Sequence, residues 1–450
     1  MTALAQPDGD PRSAPALPPG HRDAIIFIPG LGGHGIGPDQ TVDGVSRRIS
    51  SVLNIRAQTA SAVFRTEVRE QAYGPNDCYK ARVSTVFRRD GSEEIALMDI
   101  YGMDYNLTLT SRFQRQNVLV KFLLTLLQLL NGLRLLLPRR RGKSAREKLQ
   151  VLYAGLILFL LAGYMVVLLI AAFDVAFSAV RGDRDSTTTA ITQPQANQPA
   201  AGGSGYRQHI RAVIVFLAAM GVVFPNSFKA QLSAAATTYL CALYYLRLGE
   251  RRNELIAQLE SLLERTAELE GVFYNRTHIV AYSFGSVVAM DALFRLGKEP
   301  PPPRFRVIRT LITIGCPFDL IRTYWPWYFT RRMALPTEPG QATVPARWVN
   351  IFSLADVLGS NFRNDDKDGP AEVGVEVAWD TPVPAAQTVR RVDSNLLYED
   401  GSAQSLHWWD YVTFIGFRAH AVYWNRQDEP STDCFTQVVE TLFRGEAALK

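Results

Sequence analysis

Short apolar runs bounded by turn residues recur near both ends of the chain. Residues 23–29 read Asp-Ala-Ile-Ile-Phe-Ile-Pro, and comparable runs occupy 95–105, 277–281, 311–314 and 347–353. Each is short for a helix and largely lacks the alternating polar positions of a half-exposed strand. Each therefore predicts a strand buried on both faces. Helical spacing takes over between them. Val287, Val288, Met290, Leu293 and Phe294 follow 277–281 with a period near 3.6, and helices are also predicted over 250–270 and 435–443. Strands alternating with helices predict an α/β domain built on a mostly parallel sheet.

The middle of the chain, 114–249, breaks this pattern. Residues 152–173 form a nearly uninterrupted apolar run of 22 residues, and about 20 suffice to cross a bilayer. A buried helix of that length would ordinarily carry a polar face. A second run, 210–224, is interrupted by Arg211 and ended by Pro225. It predicts a shorter span, with a packed hairpin partner as the alternative. Residues 118–137 differ: Lys121, Thr125, Gln128 and Gly132 make a narrow polar stripe on a leucine-rich helix, the pattern of an interfacial helix. Residues 232–246 are a milder version.

Charge orients these pieces. Arg139, Arg140, Arg141, Lys143, Arg146 and Lys148 precede the first span, and Arg247, Arg251 and Arg252 follow the last apolar stretch. The loop 181–205 between the spans is polar and balanced. Basic flanks stay in the cytoplasm, so two spans return the chain to its starting side and let the two flanking parts meet there. Four spans would put the second part outside without a signal peptide, and the two-span arrangement is preferred. The predicted organisation is a disordered tail (1–22), the first part of an α/β domain (23–113), a membrane-associated helical insertion (114–249) and the second part (250–450).

Composition narrows the function classes. With 47% apolar residues and a net charge of +5 over 450 residues, a large core is expected and nucleic acid is not an expected partner. Cys78, Cys241, Cys316 and Cys434 lack metal-ligand spacing and read as reduced thiols. No metal and no cofactor is expected.

The chemistry concentrates at Ser283, in Ala281-Tyr282-Ser283-Phe284-Gly285-Ser286. A serine at a strand-to-helix joint, flanked by small residues, matches the nucleophile elbow, whose sharp turn pushes the hydroxyl out of the sheet. The helix N-terminus behind it favours negative charge. Ala281 stands where the motif usually has its first glycine, a departure of one methyl. A helix N-cap serine is the alternative reading. Gly30-Leu31-Gly32-Gly33 follows the 23–29 strand and permits close backbone approach, without a nucleotide-binding fingerprint. Asp356 falls just past the 347–353 strand, with a turn or cap role as the alternative, and Asp319 is held in reserve. Of six histidines, only His407 and His420 follow Asp356. His34 belongs to the glycine turn, and His278 should pack within its strand.

On these residues, together with Thr313-Ile314-Gly315-Cys316-Pro317 and Trp348-Val349-Asn350, the chain resembles the α/β-hydrolase superfamily of the lipase and serine-esterase type. The resemblance covers roughly 23–110 and 250–430. It implies an α/β-hydrolase fold, a mostly parallel sheet flanked by helices, here interrupted by a helical transmembrane insertion. It implies Ser283 as nucleophile, Asp356 as acid and His420 as base, because Tyr423 and Trp424 and then a last helix follow closely. His407 is the alternative base. The N–H groups of Leu31 (Gly32 as alternative) and Phe284 would form the oxyanion hole. The implied reaction is ester hydrolysis through an acyl-enzyme. With the insertion, the expected substrate is a lipid or other hydrophobic ester and the expected partner is the bilayer, at an inner or plasma membrane, with the hydrolase on the cytoplasmic side. An acyltransferase, or a non-catalytic anchored interaction protein, would share these features. The insertion should leave near the carboxyl ends of the strands, where ligands of open α/β sheets bind. Tyr324, Trp325, Trp327, Tyr328 and Phe329 would then form either an aromatic lid or core.

Overall fold

The computed structural model describes residues 22–32, 41–57, 62–115, 237–238, 240–249, 251–267, 274–294, 303–325, 328–329, 344–354, 356, 358–363, 369–373, 390–398, 420, 423–424 and 434–447, with isolated positions between 127 and 163. Among the described residues nine strands form one sheet: β1 (Asp23–Ile28), β2 (Ala62–Tyr73), β3 (Tyr79–Asp90), β4 (Glu93–Gly102), β5 (Arg276–Tyr282), β6 (Ile308–Ile314), β7 (Arg347–Phe352), β8 (Gly369–Val373) and β9 (Arg390–Leu397). Their order is β2-β3-β4-β1-β5-β6-β7-β9-β8. The six strands from β4 to β9 in that order run parallel, and antiparallel pairs close both edges. The sheet is therefore mixed and mostly parallel, as the alternation of elements predicts.

Burial on both faces explains the continuous apolar runs. Along β1, Ala24, Ile26 and Ile28 point into one core and Ile25 and Phe27 into the other. On the first face lie α3 (Arg252–Ala267) and α4 (Phe284–Leu293). The second face is covered by α1 (Val42–Arg56) and by a C-terminal helix, Phe435–Ala447. Helix α1 presents Val42, Val45, Ile49 and Val52 to the sheet, spaced by three and four residues. Its N-terminus is capped by Thr41, whose hydroxyl accepts from Gly44 N–H at 3.2 Å. Truncating a core isoleucine such as Ile26 to alanine would cost about 2–5 kcal/mol.

Several expectations meet the structure differently. Arg22, assigned to the disordered tail, is ordered: its guanidinium holds both carboxylate oxygens of the buried Asp99, at 2.6 and 2.8 Å. That pairing, one Nη2 shared between the two oxygens, compensates a charge that burial would otherwise penalise. The β2–β3 hairpin replaces what the sequence leaves unassigned. The end of the 114–249 segment also belongs partly to the protein core. Leu240, Cys241, Leu243, Tyr245 and Leu246 are buried, and Tyr244–Leu248 form a π-helical turn ending at Gly249 (φ +63°). Tyr328 and Phe329 are buried in the same core, with Trp325 packed against it, so they are core rather than an exposed lid. Trp327 lies outside the described residues.

The predicted spans 152–173 and 210–224, the stripe-bearing 118–137 and the loop 181–205 lie outside the described residues except for isolated positions. Among these, Leu152, Leu156 and Phe159 are exposed. Among the described residues, no helix is long and apolar enough to cross a membrane.

Candidate active site

The parallel strands β4, β1, β5, β6, β7 and β9 end on one edge of the sheet, and the candidate residues gather there. Strand β5 stops at Tyr282, and α4 begins at Phe284. Between them Ser283 adopts φ 54° and ψ −125°, a conformation that costs a non-glycine residue about 1–3 kcal/mol. Neighbouring bonds hold it there: Ser283 N–H donates to Ile314 C=O of β6 (2.8 Å), and Ser286 N–H donates to Ser283 C=O (3.0 Å). The Ser286 hydroxyl reaches back to Ala281 C=O at 2.9 Å. The side chain of Ser283 makes no capping bond to its helix, which removes the N-cap reading. Gly285 follows because a Cβ there would lie 3.0 Å from the Ile28 carbonyl carbon, and closer still to the carbonyl oxygens of Ile28 and Pro29. The helix crosses directly over the end of β1. Ala281 is fully buried, so its methyl is accommodated in the core.

His420 Nε2 lies 2.6 Å from Ser283 Oγ, and His420 Nδ1 lies 2.8 Å from Asp356 Oδ2. The structure thus brings together Ser283, His420 and Asp356 in one hydrogen-bonded line. Asp356 is completely buried and His420 only slightly exposed. Leu358 N–H donates to Asp356 Oδ1 at 2.9 Å, and the Tyr423 hydroxyl donates to Asp356 Oδ2 at 3.0 Å. The same hydroxyl accepts from Ser353 N–H at 2.9 Å. Burial, and then the Asp356 charge, push the Tyr423 phenol well above its ordinary value, so it stays a donor. Tyr282 stacks on the His420 ring, with centroids 5.3 Å apart, and its hydroxyl donates to His420 C=O. Burial likewise raises the Tyr282 phenol. Two glycines make room. A Cβ at Gly359 would fall 2.5 Å from Asp356 Oδ2, and one at Gly315 (φ +57°) 2.8 Å from the Tyr423 ring.

The glycine turn after β1 reaches the same place: a Cβ at Gly30 would lie 3.1 Å from Ser283 Cβ. Asn106 opens α2 (Asn106–Arg115). It accepts from Gly32 N–H at 3.0 Å and donates to Gly30 C=O at 3.3 Å. Gly32 N–H is thereby occupied, while Leu31 N–H has no partner among the described residues. The N–H of Phe284, in the first turn of α4, has no acceptor within its own helix. The N–H of Phe284 thus directly follows Ser283, and that of Leu31 follows the glycine that approaches it.

The remaining candidates are placed elsewhere or not described. Asp319 is held by the Ser360 hydroxyl and by Arg322 at 3.4 Å, in α5 (Phe318–Tyr324), and has no bond to His420. His278 is buried in β5 with Nε2 3.9 Å from Asp23, as expected of a packed strand residue. His34 and His407 lie outside the described residues. Asn106, Tyr282 and Tyr423 escaped the sequence reading; only the nearness of Tyr423 to His420 hinted at one of them. None of the four cysteines forms a disulfide. Among the described residues no group of three or more His, Cys, Asp and Glu side chains could hold a metal. Compared with protein-family models, curated proteins and solved structures, the chain matches none.

Proposed function

We propose that the protein is a serine hydrolase of the α/β-hydrolase kind that cleaves an ester of a hydrophobic acyl group at a membrane. The observation that carries this reading is the line Ser283 Oγ–His420–Asp356, at 2.6 and 2.8 Å, from a serine in a strained strand-to-helix turn. The sheet order supports the family. Strand β1 with its glycine turn lies beside β5 with its serine, and acid and base follow further along the same edge in the chain order serine, acid, histidine.

In this mechanism Ser283 Oγ attacks the ester carbonyl as His420 Nε2 takes its proton. Asp356 holds the imidazole tautomer and stabilises the imidazolium. The N–H groups of Leu31 and Phe284 stabilise the oxyanion. The protonated His420 then gives its proton to the leaving alcohol. Water, deprotonated by the same histidine, releases the acid and restores Ser283. The substrate class rests on the apolar runs of the insertion and on two exposed leucines, Leu107 and Leu354, which follow strand ends on the Ser283 edge. The basic flanks assign the hydrolase to the cytoplasmic side.

The test is covalent labelling of detergent-solubilised protein with a fluorophosphonate, comparing wild type with Ser283→Ala, His420→Ala and His407→Ala. Labelling lost in the first two variants and kept in the third is expected. A folded wild type with an accessible site and no labelling would refute the reading and leave an anchored binding protein.

A further inference from the structure

The two oxyanion donors are held from opposite roots of the segment that leaves after α2 and returns before α3. At the departing root, Asn106 uses both ends of its amide: Oδ1 accepts from Gly32 N–H at 3.0 Å and Nδ2 donates to Gly30 C=O at 3.3 Å. It grips the turn on both sides of Leu31, whose N–H has no acceptor among the described residues. Its own N–H is fixed by the Asp104 carboxylate at 3.2 Å.

At the returning root, Tyr245 lies along α4. Its ring meets the Phe284 ring edge-on, with centroids 5.3 Å apart. Its hydroxyl donates to Asp291 Oδ2 at 2.9 Å, two turns further along the same helix face. Tyr245 is completely buried. Arg252 fixes it from the other side: the guanidinium sits 5.5 Å from the Tyr245 ring centre and 3.4 Å from Asp291, and donates to Tyr245 C=O at 3.2 Å. Tyr328 gives a second hydroxyl bond to Asp291. The buried carboxylate is thus paired and hydrogen-bonded, which burial of a charge requires. The roots also meet each other, with Cys241 Sγ 3.6 Å from Leu109 C=O of α2.

Resting on the serine-hydrolase reading above, we propose that Asn106 and Tyr245 are positioning residues, one for each oxyanion donor. A pair acting only as core would change how much protein folds. A positioning pair changes the turnover of each folded site.

The experiment uses full-length protein in detergent. Active sites are titrated with a fluorophosphonate, and kcat, KM and melting temperature are measured with a short p-nitrophenyl ester. Asn106→Leu and Tyr245→Leu are each expected to lower kcat per titrated site by about 10–100-fold, as for a displaced oxyanion donor. KM should stay within about twofold, the signature of an interaction made in the transition state. Tyr245→Phe keeps the ring against Phe284 and should restore most of the turnover. Cys241→Ala, which trims the contact between the roots and touches neither Asn106 nor Tyr245 through a hydrogen bond, should turn over like wild type. If Tyr245→Leu does not fold, Asn106→Asp carries the test: it keeps the acceptor for Gly32, loses the donor to Gly30, and should show a partial loss of kcat. Root variants with wild-type kcat per titrated site, or with losses confined to KM or melting temperature, overturn the inference and leave the hydrolase reading standing. A wild type that neither labels nor turns over ester removes both.

Discussion

Gly285→Ala tests how the helix behind Ser283 is seated. The added methyl would lie 3.0 Å from the Ile28 carbonyl carbon and nearer still to two backbone oxygens, where ordinary contact begins at 3.4 Å. Those oxygens belong to the last residue of β1 and the one after it, and β1 is paired on both sides, so the helix must move instead. Relief at both oxygens asks for a shift on the order of 1 Å. Overpacking of this kind costs about 1–3 kcal/mol, or about 2–4 °C of melting temperature per kcal/mol in a domain of 150–250 residues. The same shift carries Ser283 and the Phe284 N–H away from Leu31, and 1 Å of misplacement can cost about 100-fold in rate. The assay is thermal melting together with ester turnover per fluorophosphonate-titrated site. Gly91→Ala is the control: its Cβ meets nothing within 4 Å but its φ is +62°, so it should lose some stability and no turnover. Wild-type melting and turnover in Gly285→Ala would refute the reasoning.

Two further outcomes follow from the buried phenols. Tyr423→Phe removes a hydrogen bond to a charged carboxylate, worth about 1.5–3 kcal/mol, and strips Ser353 N–H of its acceptor. Denaturant unfolding should show that loss of stability and turnover should fall with KM unchanged, whereas a variant equal to wild type in both would sink the assigned role. Burial raises the phenols of Tyr105, Tyr282, Tyr328 and Tyr423 above their ordinary value. Above pH about 10 the unfolded chain releases these protons and the folded protein retains them, so stability is present below pH 10 and declines above it by up to about 1.4 kcal/mol per pH unit per tyrosine. Urea midpoints measured from pH 7 to 11 should stay level and then fall; a flat or rising profile would contradict the assigned burial.

The parallel strands β1, β5, β6 and β7 were legible because both of their faces are buried, which leaves an unbroken apolar signal. The β2–β3 hairpin was not. Its edge strand carries Arg65, Glu67, Arg69 and Glu70 on exposed positions, the charges that discourage edge pairing. Strand β9 was hidden for another reason. Asn395 on it is fully buried, bonded to Asn350 Nδ2 at 2.9 Å, and a polar residue satisfied by a distant partner looks like a loop residue in one dimension. Ser283 was readable because an elbow is local. Asn106 was not, since its partners lie 74 and 76 residues upstream. Tyr328 and Phe329 show the limit of composition: an aromatic cluster reads alike at an interface and in a core.

The pairing of β1 with β5 also dictates how the chain must be made. Arg276 and Asp23, neighbours across that pair, are 253 residues apart in sequence. At about 5–20 residues per second of synthesis, β1 emerges roughly 10–50 s before the strand that completes it. During that interval β1 can pair only with β4, and its other edge is a template for stray strands. Closing so long a loop adds little further entropy per added residue, but such non-local pairings form slowly. The nascent first half therefore spends its synthesis as a half-built sheet, and its survival to completion depends on whatever shields that one open edge.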